Sequence, residues 1–114
     1  MSHEDLPVFT RWYRFLGWLL KTTEKFPKRV RFTFSTRLDN MALDVLEKII
    51  EAAYTKQKTD LLKRANLTVE KMRVLIRLCH EERYLGNRAY EHAVEELFET
   101  GKMLGGWIRH QEKG

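Results

Sequence analysis

Residues 97–110, LFETGKMLGGWIRH, decide whether this chain ends in a full-length helix or in a frayed tail. Three glycines, Gly101, Gly105 and Gly106, interrupt the run, and each mid-helix glycine costs about 1 kcal/mol relative to alanine. Glycine also marks helix stops, so a helix ending near Gly101 is the simpler alternative. Against a stop, Leu97, Gly101, Leu104 and Ile108 hold one face at helical spacing, and Trp107 would be wasted in a loose end. The spacing therefore predicts a helix to about residue 111. Glycines retained inside it imply a neighbouring backbone where side chains would stand, hence close helix packing or subunit assembly around Gly101, Gly105, Gly106 and Trp107.

Three further helical segments precede it, and none of the chain alternates as a strand would. The first spans about 7–24, opened by Pro7, with an apolar face of Phe9, Trp12, Tyr13, Leu16, Leu19 and Leu20 and a second stripe of Phe15 and Trp18. Pro27 ends a turn and opens the second helix, about 28–57, along Phe34, Leu38, Met41, Val45, Leu46, Ile49 and Ala53. Thr59 or Asp60 is expected to cap the third, about 60–85, whose inner stripe is Leu62, Ala65, Val69, Met72, Ile76 and Cys79. Leu67, Val74, Leu78 and Leu85 form a second stripe on that helix. One core can use only one of these faces fully, so Val74 and Leu78 are candidates for a subunit interface. Gly86 is expected to end the third helix and Asn87 to cap the fourth, about 88–111. Short links between four amphipathic helices give an all-α, antiparallel up-down-up-down four-helix bundle in a single domain, 1–114.

The 114-residue length and 43% apolar content suffice for a packed core. Cys79 is the sole cysteine, so no internal disulfide forms. No apolar run nears the roughly 18 residues that cross a bilayer, and the N-terminus MSHEDLPVF lacks a signal-peptide layout, so a soluble, cytoplasmic protein is expected.

Charge is distributed unevenly. Residues 1–37 hold eight basic side chains against three acids, whereas the other 77 residues carry 13 of each sign. A positive field confined to one end suits a polyanion, because phosphate neutralisation with counterion release supplies most non-specific nucleic-acid affinity. Lys28, Arg29 and Arg31 sit in the first turn of a helix, where cations oppose the dipole by some tenths of a kcal/mol each. Helix stability does not explain them; a solvated face or a binding role does. Arg73 and Arg77, four apart on the third helix, with Arg83 six residues further on, could follow a phosphate backbone or meet carboxylates across a subunit seam.

Catalytic and metal-binding patterns are missing from the sequence. The four histidines are unpaired at i, i+4, and neither HExxH nor a multi-cysteine spacing occurs. Cys79-His80-Glu81-Glu82 looks reactive, but helical neighbours diverge: Cys79 falls on the core stripe and His80 to Glu82 are expected in solvent. A di-iron bundle needs Glu-x-x-His, which is absent; His92-Ala93-Val94-Glu95 is only its reverse. No cofactor, no metal and no enzymatic activity are expected.

The stretches TEKFPKRVRFT (23–33), ALDVLEKIIEAAYTKQK (42–58), LLKRANLTVEKMRVLIRLCHEERYL (61–85) and YEHAVEELFETGKMLGGWIR (90–109) together resemble the accessory variability determinant, Avd, of diversity-generating retroelements. That family lies in a four-helix-bundle superfamily with the proteins of ribosomal RNA intervening sequences. The resemblance covers roughly residues 8–110 and rests on Phe26-Pro27-Lys28, the Met72-Arg73 to Ile76-Arg77 ladder and Leu104-Gly105-Gly106-Trp107-Ile108 occurring in order. It implies a barrel-shaped homopentamer with a basic surface. Such a protein binds RNA, DNA and the retroelement reverse transcriptase, and supports mutagenic copying of template RNA into cDNA. Carried onto this chain, the contacting positions are Lys21, Lys25, Lys28, Arg29, Arg31, Arg73 and Arg77. The excess charge here is modest, which implies weak affinity without the polymerase. The alternatives are an intervening-sequence-type RNA-associated bundle, or a structural or small-molecule-binding bundle with a pocket built from Trp12, Tyr13, Trp18 and Trp107.

Overall fold

A computed structural model describes residues 2–113, and the described residues form four α-helices with no strand: α1 (Pro7–Thr23), α2 (Thr36–Ala53), α3 (Thr59–Glu81) and α4 (Asn87–Lys113). Each helix packs on its chain neighbours and α4 closes on α1, in a body of 46 × 20 × 18 Å. Contacts fix the directions. Arg11 meets Glu96 and Trp18 meets His92, while Trp12 meets Ala42 and Thr23 meets Asp39, so α1 runs antiparallel to both α4 and α2. No helix among the described residues is long and apolar enough to cross a membrane.

The fourth helix runs unbroken through Gly101, Gly105 and Gly106 to Lys113. Within the chain, however, nothing crowds those glycines. A Cβ on Gly101 would stand 3.6 Å from Asn66 Oδ1, and one on Gly105 would meet only the Arg109 side chain at 3.5 Å. Both are ordinary contacts, so packing inside the bundle does not account for the glycines. Thr100, not Gly101, takes the fully buried position between Leu97 and Leu104.

All six inner-stripe residues of α3 are buried, with Leu38, Val45 and Ile49 from α2 and Ala93, Leu97, Leu104 and Ile108 from α4. The apolar face of α1 is rotated from the expected one: Trp12, Phe15, Leu16 and Leu19 are buried, while Tyr13 and Leu20 face solvent. Trp12 is fully enclosed because its indole N–H donates to the Ala42 carbonyl at 2.8 Å, which satisfies its one polar atom.

Helix boundaries depart from the sequence expectation at four places. The backbone turns helically from Lys28, but as a 3-10 turn (Lys28–Val30) and a π turn (Arg31–Ser35) before α2 proper. The wider i→i+5 turn lets Val30, Phe34 and Ser35 all face inward. Helix α2 stops at Ala53, not 57, because the next inward positions are polar Lys56 and Gln57. Neither Thr59 nor Asp60 caps α3: Lys58 holds the cap position without a side-chain bond, and Asp60 pairs with Arg64 at 3.2 Å. Helix α3 ends at Glu81, not 85. The residue that stops it is Arg83, at φ 65°, whose N–H bonds the His80 carbonyl while that of Tyr84 bonds Cys79. These two bonds close a Schellman motif with arginine in the place usually held by glycine. Gly86 has no positive φ, and Asn87 uses its side chain on His80 instead of capping.

Candidate nucleic-acid interface

Antiparallel order brings the end of α1, the 24–35 turn, the end of α3 and the start of α4 to one end of the bundle. Tyr84 joins them. The Schellman turn at Arg83 aims its ring at the 24–35 turn, where it meets Phe26 (6.2 Å) and Phe34 (5.9 Å) and lies beneath the Arg29 guanidinium (5.4 Å). Arg29 Nη1 also donates to the Tyr84 hydroxyl at 3.4 Å. A second set of bonds anchors the turn to α1 and α2: Thr23 Oγ1 donates to Asp39 at 2.7 Å and Ser35 Oγ donates to the Thr23 carbonyl at 3.2 Å. Burial pushes the Asp39 carboxyl above its usual range, and the Thr23 hydrogen bond partly offsets the shift. Asp39 forms part of a cleft of about 470 Å³ whose other walls include Lys28 and Arg31.

Lys21, Lys25, Lys28, Arg29, Arg31 and Arg77 are exposed, and among the described residues none pairs with a carboxylate. Elsewhere Arg11, Lys63, Arg64 and Lys102 have acidic partners, but among the described residues other cations such as Lys48 and Lys71 do not, so it is the local excess of positive charge that sets this end apart. Residues 21–37 hold six cations and one acid, Glu24, so the sequence asymmetry becomes a local field. Arg73 does not join it on equal terms. Its guanidinium grips Glu70 through two bonds, of 3.0 and 2.6 Å, and that hydrogen bonding holds the Glu70 carboxyl below its usual range. The Arg73–Arg77 pair is therefore one neutralised and one free cation, not a uniform ladder.

Arg83, six residues beyond Arg77, is exposed at this end, and sequence reasoning missed two further exposed residues there, Arg88 and Phe32. Arg88 escaped because its stretch of sequence is charge-balanced and only the fold brings the start of α4 to the same end of the bundle as the 24–35 turn. Phe32 escaped because an aromatic beside Phe34 reads as core; the π turn points it outward, 83% exposed.

The proposed assembly residues lie along the sides of the bundle. Val74 and Leu78 are exposed with Leu67 on the face of α3 opposite its core stripe, whereas Leu85 is buried in the corner before α4. Beside that face a groove of about 880 Å³ runs between α3 and α4, bordered by Val69, Val94, Phe98 and Gly101. Trp107 is half-buried at the far end of the bundle, with Lys58 Nζ 5.6 Å from its ring centre. The four aromatics of the small-molecule reading do not converge: Trp12 is in the core, Tyr13 faces solvent, Trp18 stacks on Phe15, and Trp107 borders a separate small cleft.

The Cys79-His80 pair is structural in its surroundings. Burial pushes the Cys79 thiol up to about 11. His80 is not in open solvent as expected; it stacks on Tyr90 at 4.1 Å and reaches Asn87 Oδ1 at 2.8 Å, tying α3 to α4. Among the described residues no cluster of three or more metal-ligating side chains occurs.

With this geometry in view, the model of the family described as bAvd-like matches residues 8–111. The chain is a member of the bAvd-like family. The match covers all four helices, apart from the first residue of α1 and the last two of α4, and includes the basic turn and the glycine run. No curated protein matches this bAvd-like chain at a significant level.

Proposed function

We propose that this protein is a non-enzymatic accessory factor of a diversity-generating retroelement. It is a basic homo-oligomeric scaffold, a pentameric barrel, that holds the retroelement reverse transcriptase together with its template RNA and cDNA during mutagenic copying. Family membership supports the setting. The observation that carries the reading is the cationic end, where exposed Lys21, Lys25, Lys28, Arg31 and Arg77 lack acidic partners although the rest of the chain is charge-balanced. A single such patch binds weakly; a ring repeats it, and avidity raises affinity by on the order of 10²-fold without any new contact.

Fluorescence anisotropy on a short RNA across a salt series tests this. Changing Lys28, Arg29 and Arg31 together to Ala weakens binding and lowers the slope of log K against log[salt] by about 2, since each phosphate contact contributes about 0.7–0.9. Arg29 also braces Tyr84, so the melting temperature of the variant is followed in parallel. An unchanged salt slope in a folded variant assigns the patch to solvation and overturns the reading. Co-purification of the wild-type protein with a diversity-generating retroelement reverse transcriptase checks the polymerase half.

A further inference from the structure

Phe32 is the most exposed large apolar side chain among the described residues, at 83%, and it stands within a run of cations. Lys28, Arg29 and Arg31 precede it, and none pairs with a carboxylate. Its position is held by structure: Val30 and Ser35 on either side are buried, Phe34 packs on Tyr84, and Ser35 bonds the Thr23 carbonyl. π turns are rare and frequently found at functional sites. Here the turn presents one aromatic face from a braced platform.

We infer that Phe32 is a stacking platform for an unpaired base, so that the cationic end takes single-stranded polynucleotide in preference to duplex. The inference rests on the nucleic-acid reading above and adds the strand state of the ligand. Every base has a π face that an exposed aromatic can cover, and such stacking is sequence-tolerant. Arg31 is adjacent to Phe32 and Lys28 lies four residues before it, and both can neutralise flanking phosphates. A duplex hides its base faces and offers this ring nothing. A protein partner fits less well, because a docking patch is contiguous and apolar at its centre, whereas the sequence neighbours of Phe32 are Arg31 and Thr33, both exposed.

The test measures binding of a short single-stranded RNA, the DNA of the same sequence, and the RNA duplex to wild type and to Phe32→Ala, Phe32→Leu and Phe32→Trp. Phe32 is solvent-exposed, so all three variants fold; thermal melts verify it. The expected result is an about tenfold loss of affinity for both single strands in Phe32→Ala, with unchanged salt slope and unchanged duplex binding. Phe32→Trp restores the single-strand affinity and Phe32→Leu does not, because leucine is apolar without a π face. Equal single-strand affinity in Phe32→Ala and wild type overturns the inference while leaving the phosphate reading to the salt-slope experiment. Equal losses on duplex and single strand, or a drop in oligomer mass by light scattering in Phe32→Ala, overturn it in favour of a positional role or a protein seam. Absence of binding to all three probes by the wild type removes both readings.

Discussion

Thr100 is completely buried in the middle of α4, and among the described residues its hydroxyl has no hydrogen-bond partner. A buried hydroxyl left unpaired costs about 1–3 kcal/mol, and valine fills nearly the same volume without that cost. Thr100→Val is expected to stabilise the protein by about 1 kcal/mol, read as a higher denaturation midpoint at unchanged m value. A lower midpoint would mean that the hydroxyl is paired in solution. Core membership elsewhere was legible at this scale wherever one face of a helix was unambiguous, and α3 is the clear case: its inner stripe is buried in full. Helix α1 was less legible because it carries large apolar residues on several sides. Tyr13 and Leu20 compete with Phe15 for the core, and only the position of the neighbouring helices decides among them.

At the scale of elements, the number and order of helices follow from periodicity, and the ends do not. Pro7 and Pro27 opened helical turns as their missing N–H and fixed φ require. Gly86 misled, since the left-handed residue that stops α3 is Arg83, a residue type with no local signal for that conformation. A non-glycine residue at positive φ costs on the order of 1 kcal/mol, so Arg83→Gly is expected to raise stability by about that amount, part of it offset by the greater freedom of glycine in the unfolded chain. Thermal unfolding without nucleic acid measures it. A destabilised variant would show that the arginine side chain contributes more than its backbone costs. The cationic end was half legible for the same reason. Charge asymmetry along the chain announces the 21–37 segment, but the capture of Arg73 by Glu70 and the outward turn of Phe32 depend on rotamer and turn geometry that composition does not encode.

For the molecule as a whole, the glycine run poses the question of assembly more sharply than sequence alone could. Inside one chain Gly105 has room for a Cβ, with only the flexible end of Arg109 within 4 Å of it. A Cβ there therefore meets nothing fixed within the subunit, and substitution removes a helix-interior glycine that costs about 1 kcal/mol. Gly105→Leu is thus expected to leave the isolated bundle at least as stable as before. If α4 meets another copy closely at this position, the same substitution holds the two backbones apart and lowers the assembly mass. Multi-angle light scattering of the wild type is expected to give a mass above that of a dimer, and Gly105→Leu a smaller one, with helicity and melting temperature preserved. The exposed stripe of Leu67, Val74 and Leu78 supplies an independent arm. Val74→Glu with Leu78→Glu places charge on a solvated face if the chain works alone, which costs little, and in a subunit seam if it does not, which dissociates it. A wild-type monomer whose mass ignores both changes would leave the glycines and the stripe without a role, and would remove the repetition that the proposed avidity requires.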